Sequence, residues 1–124
     1  MFNLILVAAG GALGAVLRYF LTNIFKTMFV SSIYGTISVN IIGSFLIGYF
    51  ITSDFGNNFS ENFIRFFLII GLLGSFTTFS AFSYEVLDLI NSKKYISSFT
   101  YIFISIFICI ISAYIGTLLN KFWF

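Results

Sequence analysis

Hydroxyl and aromatic side chains alternate in the stretch "GSFTTFSAF", residues 74–82, which directly follows the almost wholly apolar run "FIRFFLIIGLL". Phe79 and Phe82 lie one helical turn apart. Because the edge of a phenyl ring is electropositive, ring edges among hydroxyl donors could accept an anion that has shed its water. Many weak donors would then share the desolvation cost of that anion. The hydroxyl-bearing residues of the stretch are Ser75, Thr77, Thr78 and Ser80.

A second set of polar residues lies within the apolar segment "GTISVNIIGSFLIG", residues 35–48. Thr36, Asn40 and Ser44 are spaced by four and share one helix face. A buried amide in hydrocarbon needs partners, so this face forms either an interhelical hydrogen-bond clamp or a polar lane for a small solute. A later segment, "YIFISIFICIISAYIG", carries a similar stripe. Its members are Tyr101, Ser105, Ser112 and Gly116.

The first apolar segment contains small residues at helical spacing. Gly10 and Gly14 are four apart, and this small-xxx-small pattern lets helix backbones approach closely. Arg18 continues the stripe one turn later. Its guanidinium either extends to the membrane surface or holds an anion or a helix C-terminus.

Composition excludes several classes of function. The 124 residues are 60% apolar and 8% charged, whereas soluble domains carry about 25% charge, so the lipid bilayer is the expected solvent. The net charge of +2 is too small and too scattered to indicate nucleic acid. The chain has no histidine, which argues against histidine-dependent catalytic sites and therefore against an enzyme.

Cys109 is the only cysteine and is interpreted as a small buried apolar residue. Glu85 is expected at the membrane interface near Lys93 or Lys94.

These residues must be positioned by helices. Four apolar segments are long enough to cross a bilayer, which takes about 20 residues: residues 2–21, 33–51, 63–90 and 97–120. They predict a single all-α membrane domain, residues 1–124. The third segment is too long for one straight span and contains Gly71, Gly74 and the hydroxyl cluster. It is either broken near 74–78, where freed backbone groups would face protein or a cavity, or it is one long tilted helix.

The distribution of basic residues gives little information about the orientation of the chain in the membrane. With four spans, Arg65 and Lys121 fall on one side, and Lys26, Lys93 and Lys94 fall on the other. Positive residues favour the cytoplasmic side of a membrane. A count that is this evenly balanced indicates either a marginal fixed topology or insertion in both senses.

Three motifs, in order, resemble the Fluc-type fluoride channel family, also called CrcB. They are "GGALGAVLRY" (10–19), "GTISVNIIGSFLIG" (35–48) and "GLLGSFTTFSAFSYE" (71–85). The resemblance covers the four-span layout. It implies a passive, multi-pass channel of the cell inner (plasma) membrane that lets fluoride leave the cell. It also implies an antiparallel, dual-topology homodimer with two pores along its interface.

The resemblance further implies a broken third helix with a structural sodium ion bound at the break. The main-chain carbonyls of Gly74 and Thr77 match its ligands. The family's pore asparagine falls on Asn40, and its fluoride-facing phenylalanines fall on Phe79 and Phe82. The remaining pore candidates are Ser80, Tyr101 and Ser105. Ala81 departs from the family, in which threonine is common at this position, and so removes one hydroxyl.

Two other functions remain open on the residues alone. A small multidrug-type transporter is also a four-helix antiparallel dimer, but it would need a membrane-embedded carboxylate in the first span, and residues 2–21 contain none. A non-transporting accessory subunit of a larger membrane complex would not need the polar face of Thr36, Asn40 and Ser44.

Overall fold

The computed structural model describes residues 1–53 and 59–123, without the side chains of Phe59, Ser60 and Trp123. The predicted second connection, residues 52–62, lies partly outside the described residues. All regular structure in the described residues is helical. The elements are α1 (Phe2–Phe29), α2 (Ser32–Ile51), α3 (Phe59–Asn62), a π-helical segment (Phe63–Leu73), α4 (Gly74–Phe76), α5 (Phe79–Asn91) and α6 (Tyr95–Trp123).

Four helical stretches are long and apolar enough to cross a membrane, which confirms the expectation of an all-α, four-span protein. They are Phe2–Phe29, Ser32–Ile51, Phe63–Asn91 and Tyr95–Phe122. The third stretch combines the π-helical segment, called the π segment below, with α4 and α5.

The first helix is longer than predicted. The sequence predicted a span of residues 2–21, whereas α1 continues to Phe29. The stretch contains neither glycine nor proline, and its threonines donate to helix carbonyls. Thr22 Oγ1 donates to the Arg18 oxygen at 2.8 Å, and Thr27 Oγ1 donates to the Ile24 oxygen at 2.7 Å. The helix then ends at Val30, which adopts a left-handed conformation with φ 58°.

Glycines join α1 to the π segment by direct backbone contact. A Cβ added at Gly10 would collide with the Phe67 carbonyl oxygen, and one added at Gly14 would collide with the Leu72 carbonyl oxygen. On the facing side, a Cβ at Gly71 would lie 3.0 Å from the Cα of Gly10. These glycines therefore pack within one protomer.

At one end of their contact, α2 and α6 also approach closely through glycines. A Cβ added at Gly48 would collide with the Ala113 carbonyl oxygen, and one added at Gly116 would collide with the Phe45 carbonyl oxygen. Such close approach of small residues is the usual basis of helix packing in membranes. It holds α2 beside the polar stripe of α6.

The described part of the chain has few buried apolar side chains and many buried polar ones. Val39 and Leu73 are almost fully buried, at 0% and 1% exposure, whereas large apolar residues cover the outside, as expected for a surface that faces lipid. The buried polar residues are Thr36, Thr78, Glu85, Ser98, Ser105, Ser112 and Asn120.

Candidate functional site

The third span changes its backbone conformation at two residues. Helical residues end at Phe76 and resume at Phe79. Between them, Thr77 has φ −77° and ψ 155°, and Thr78 has φ −147° and ψ 119°. Both residues are therefore extended. Because backbone groups outside a helix must find partners within a membrane, the partners of these two residues determine what this point can bind.

Asn40 of α2 supplies two of those partners. Its Oδ1 accepts from the Thr78 amide at 2.7 Å, and its Nδ2 donates to the Thr78 oxygen at 3.0 Å. The side-chain amide thus pairs with both main-chain groups of one extended residue, as a neighbouring strand would. An amide nitrogen carries two hydrogens, and the second N–H of Asn40 has no acceptor among the residues that the structure describes.

Two carbonyls beside the extended residues lose their helical donors. In a continuous helix the Gly74 oxygen would accept from the Thr78 amide, and the Thr77 oxygen from the Ala81 amide. The Thr78 amide instead donates to Asn40, and the Ala81 amide donates to Thr78 Oγ1 at 3.1 Å. The Gly74 and Thr77 oxygens therefore do not accept these two helical hydrogen bonds. They are the two carbonyls that the resemblance assigns to a cation.

Three aromatic rings follow the extended residues in a row. The ring centroids of Phe79 and Phe82 are 5.4 Å apart, and those of Phe82 and Tyr101 are 5.1 Å apart in an edge-on arrangement. Phe82 and Tyr101 are buried, at 8% and 5% exposure, whereas Phe79 is 77% exposed. One ring of the predicted pair thus lies inside the protomer, and the other projects from it.

A cavity of about 330 Å³ lies where these elements meet. It brings together four of the six residues predicted for the pore: Asn40, Phe79, Phe82 and Ser105. Its other lining residues are Ser44, Ile47, Thr77, Thr78, Ile106, Cys109 and Ile110. Every lining side chain is uncharged.

The two remaining pore candidates contact the residues that line this cavity. The Tyr101 ring packs against Phe82, and Ser80 Oγ lies 3.1 Å from Thr78 Oγ1. Ser105 Oγ is buried and has no hydrogen-bond partner among the described residues. Ser105 therefore lies at the cavity wall with its hydroxyl turned into the protein.

Glu85 is a site residue that the sequence reasoning missed. It was expected at the membrane interface near Lys93 or Lys94, and the structure buries it between helices at 7% exposure. Its Oε1 accepts from Thr36 Oγ1 at 2.9 Å, and its Oε2 accepts from the Tyr101 hydroxyl at 2.6 Å. The signal was present in the spacing, since Glu85 follows Phe82 by three residues and so shares its helix face.

The small-residue stripe of α1 belongs to a different part of the molecule. Gly10 and Gly14 pack against the π segment, and neither they nor Arg18 line the cavity. Arg18 is half-buried, and its main-chain oxygen accepts from Thr22. Gly10 and Gly14 therefore serve helix packing against the π segment and α4.

Comparison with known proteins identifies the group of proteins to which this arrangement belongs. The family described as "CrcB-like protein, Camphor Resistance (CrcB)" matches residues 5–117. A protein of Dehalococcoides mccartyi named "Fluoride-specific ion channel FluC" is 39% identical over 98% of this chain and 97% of its own length. One of the same name from Methanococcus aeolicus is 38% identical, over 97% and 96%. "Fluoride-specific ion channel FluC 1" of Methanosarcina acetivorans is 41% identical, over 94% and 88%. This chain belongs to the CrcB family.

Proposed function

We propose that this chain is a passive channel that lets fluoride leave the cell across the inner (plasma) membrane, and that it performs no enzymatic reaction. The observation that carries the proposal is the uncharged cavity lined by aromatic rings, an amide and hydroxyl-bearing residues. The names of the relatives support fluoride as the ion. An uncharged site suits passive flow, because conduction needs binding that is weak enough to release the ion.

Each lining group has a defined part in moving the anion. The second N–H of Asn40 donates a hydrogen bond that replaces lost water. The edge of the Phe82 ring supplies weaker positive charge. The inside-negative membrane potential then drives the anion outward, at about 2.3 kcal/mol per charge per 100 mV. No covalent step and no nucleotide are required.

We propose that the working unit is an antiparallel homodimer whose two copies insert in opposite senses. Support comes from the exposed residues around the extended pair, namely Gly74, Phe79 and Ser80. A Cβ added at Gly74 would find its nearest atom at 3.6 Å, so packing within the protomer does not require glycine there. A second copy placed on this surface would explain both the glycine and the projecting Phe79 ring.

We propose that the break in the third span holds a structural sodium ion between the two copies. Support comes from the Gly74 and Thr77 oxygens, whose helical donors are diverted to side chains. Carbonyl oxygens are suitable ligands for alkali cations, so the residues present fit the ion. Two carbonyls from each copy would hold it, and its positive charge would join the two interrupted helices.

Efflux from liposomes that contain only the purified protein tests the channel proposal. With a potassium ionophore balancing charge, fluoride should leave rapidly and chloride should not. Equal efflux of both ions would contradict fluoride selectivity. Absence of efflux would favour an accessory subunit, and export of cationic drugs would favour a multidrug-type transporter.

A second candidate, fluoride export coupled to protons, is favoured by one observation, the buried Glu85 carboxylate between Thr36 and Tyr101. The reversal potential separates the two mechanisms. For a passive channel it follows the fluoride gradient alone at any pH gradient. A shift with the proton gradient that disappears in Glu85→Gln would establish coupling.

A further inference from the structure

We propose that Gly43 of α2 is a positioning residue of the anion path. Because it has no side chain, Gly43 leaves the space that the methyl group of Thr77 fills, and this contact holds the extended residues Thr77 and Thr78 in place at the cavity. Gly43 itself does not line the cavity. The effect on transport rests on the proposed function, whereas the effect on the backbone of the third span does not.

The helix α2 contacts each of the two extended residues through a residue of its own. Asn40 pairs with the main chain of Thr78. Gly43 follows Asn40 by three residues, on the same side of the helix, and it is buried against Thr77. The contact at Thr78 is therefore made by hydrogen bonds, and the contact at Thr77 is made by close packing.

The contact at Gly43 has no room for a side chain. A Cβ added there would collide with the Cγ2 atom of Thr77 and would lie 3.6 Å from its Cβ. It would also lie 3.3 Å from Cδ1 of Phe76, which is only 5% exposed. These three nearest atoms all belong to side chains. The consequence of a larger residue therefore depends on whether the Thr77 side chain can turn away.

Two constraints keep the Thr77 side chain in its orientation. Threonine is branched at Cβ, so few values of χ1 are allowed. Its Oγ1 donates to the Leu73 oxygen at 3.0 Å, and the Thr77 amide donates to the same oxygen at 3.1 Å. Turning the methyl group away from Gly43 would break the hydroxyl bond, so a larger residue must instead displace the Thr77 backbone. Because Thr78 follows directly, its pairing with Asn40 would be disturbed as well.

A double-substitution cycle, measured as fluoride efflux from liposomes, tests this contact. Thr77→Ser removes only the methyl group that an added Cβ would meet and keeps the hydroxyl that donates to Leu73. Gly43→Ala should slow efflux about tenfold or more in the wild-type background, as expected of overpacking. In the Thr77→Ser background the same change should slow efflux by less than about threefold, whatever the rate of Thr77→Ser itself. Equal slowing in both backgrounds, or none in the wild type, would overturn the proposal.

Hydrogen exchange at the Thr78 amide reports the same contact without transport. This amide donates to Asn40 Oδ1 at 2.7 Å, so it should exchange faster in Gly43→Ala than in the wild type and slower again once Thr77→Ser is added. Amides of α1 should not change. Unchanged exchange at Thr78 would overturn the positioning role even if the channel proposal holds. The expected response in a protein that releases no fluoride would support the contact and count against the channel proposal alone.

Gly48→Ala is the matched control, because it adds the same methyl group to α2 at the contact with α6. Its Cβ would collide with the Ala113 carbonyl oxygen, so Thr77→Ser should not relieve its effect. Relief of Gly48→Ala by Thr77→Ser would mean that the rescue is unspecific and would overturn the proposal. If Gly43→Ala alone does not fold, recovery of folded protein by Thr77→Ser in size-exclusion chromatography supports the contact, and no recovery refutes it.

Discussion

Two helix contacts in this molecule bring their helices together by opposite means. Between α1 and the π segment, glycines let backbones touch, and an added methyl group has no room. Among α2, α5 and α6, polar side chains span the contact and leave a cavity of about 330 Å³. At Gly10 and Gly14 the first contact is backbone against backbone, so no flexible side chain can move aside there. The second can exchange its hydrogen-bond partners for a ligand.

The largest effect is expected from a substitution that disrupts the contact between α1 and the π segment. Gly14→Val places a branched side chain against the Leu72 carbonyl, which is backbone and cannot move aside. Overpacking typically costs about 1–3 kcal/mol and more where nothing yields, so we expect loss of folded protein in size-exclusion chromatography. Ala12→Val is the control, because it adds the same branched side chain at an exposed position of the same helix. A folded Gly14→Val protein, or equal loss of folded protein in Ala12→Val, would contradict this assignment.

The next largest effect is expected from a change of Asn40 in the contact among α2, α5 and α6. A carboxylate in Asn40→Asp can no longer donate to the Thr78 oxygen, and it places negative charge beside the anion path. At an effective dielectric constant of about 20, unit charges 4 Å apart repel by about 4 kcal/mol. Fluoride efflux should therefore fall by up to about a thousandfold, since about 1.4 kcal/mol is tenfold.

Asn40→Ala separates the two causes. It removes both hydrogen bonds to Thr78 without adding charge, and each buried group left without a partner costs about 1–3 kcal/mol. Thermal unfolding should report that loss. If Asn40→Ala lowers efflux as far as Asn40→Asp, charge repulsion is not the reason.

A smaller effect is expected from substitutions in the row of aromatic rings formed by Phe79, Phe82 and Tyr101. Phe82→Ile keeps most of the apolar volume but removes the ring edge between Phe79 and Tyr101. Aromatic pairing beyond burial is worth about 0.5–1.5 kcal/mol, so efflux should fall up to about tenfold, and Phe79→Ile should act in the same direction. Phe66→Ile is the control, since Phe66 does not line the cavity. Equal loss in Phe66→Ile would mean that the rings only pack.

The two contacts also differ in how far the sequence predicted them. Spacing alone indicated a close-packing face at Gly10 and Gly14, but it could not say which helix would meet that face. The π segment of the same chain occupies this face. Identifying the partner required tertiary packing, which a periodic pattern does not encode.

In the polar contact, the residues were predictable and some of their partners were not. Thr36 and Asn40 were expected on one polar face, yet Thr36 donates to Glu85 and Asn40 pairs with the Thr78 backbone. The sequence neighbours of Glu85, including Lys93 and Lys94, indicated an interface but could not show its hydrogen bonds to Thr36 and Tyr101.

The smallest expected effect tests whether a polar bond across helices stabilises more than one within a helix. Ser112 Oγ of α6 donates to the Ile41 oxygen of α2 at 2.9 Å, and Ser112 is buried. Ser112→Ala removes this interhelical bond, and the expected loss of unfolding free energy is about 1 kcal/mol. Thr117 provides the comparison, because its hydroxyl donates to the Tyr114 oxygen of the same helix. Thr117→Ala removes no hydrogen bond between helices, so it should lower the unfolding free energy by less. Reversible unfolding in mixed detergent measures both, and an equal cost would mean that the polar contact gains its stability from burial and close packing alone.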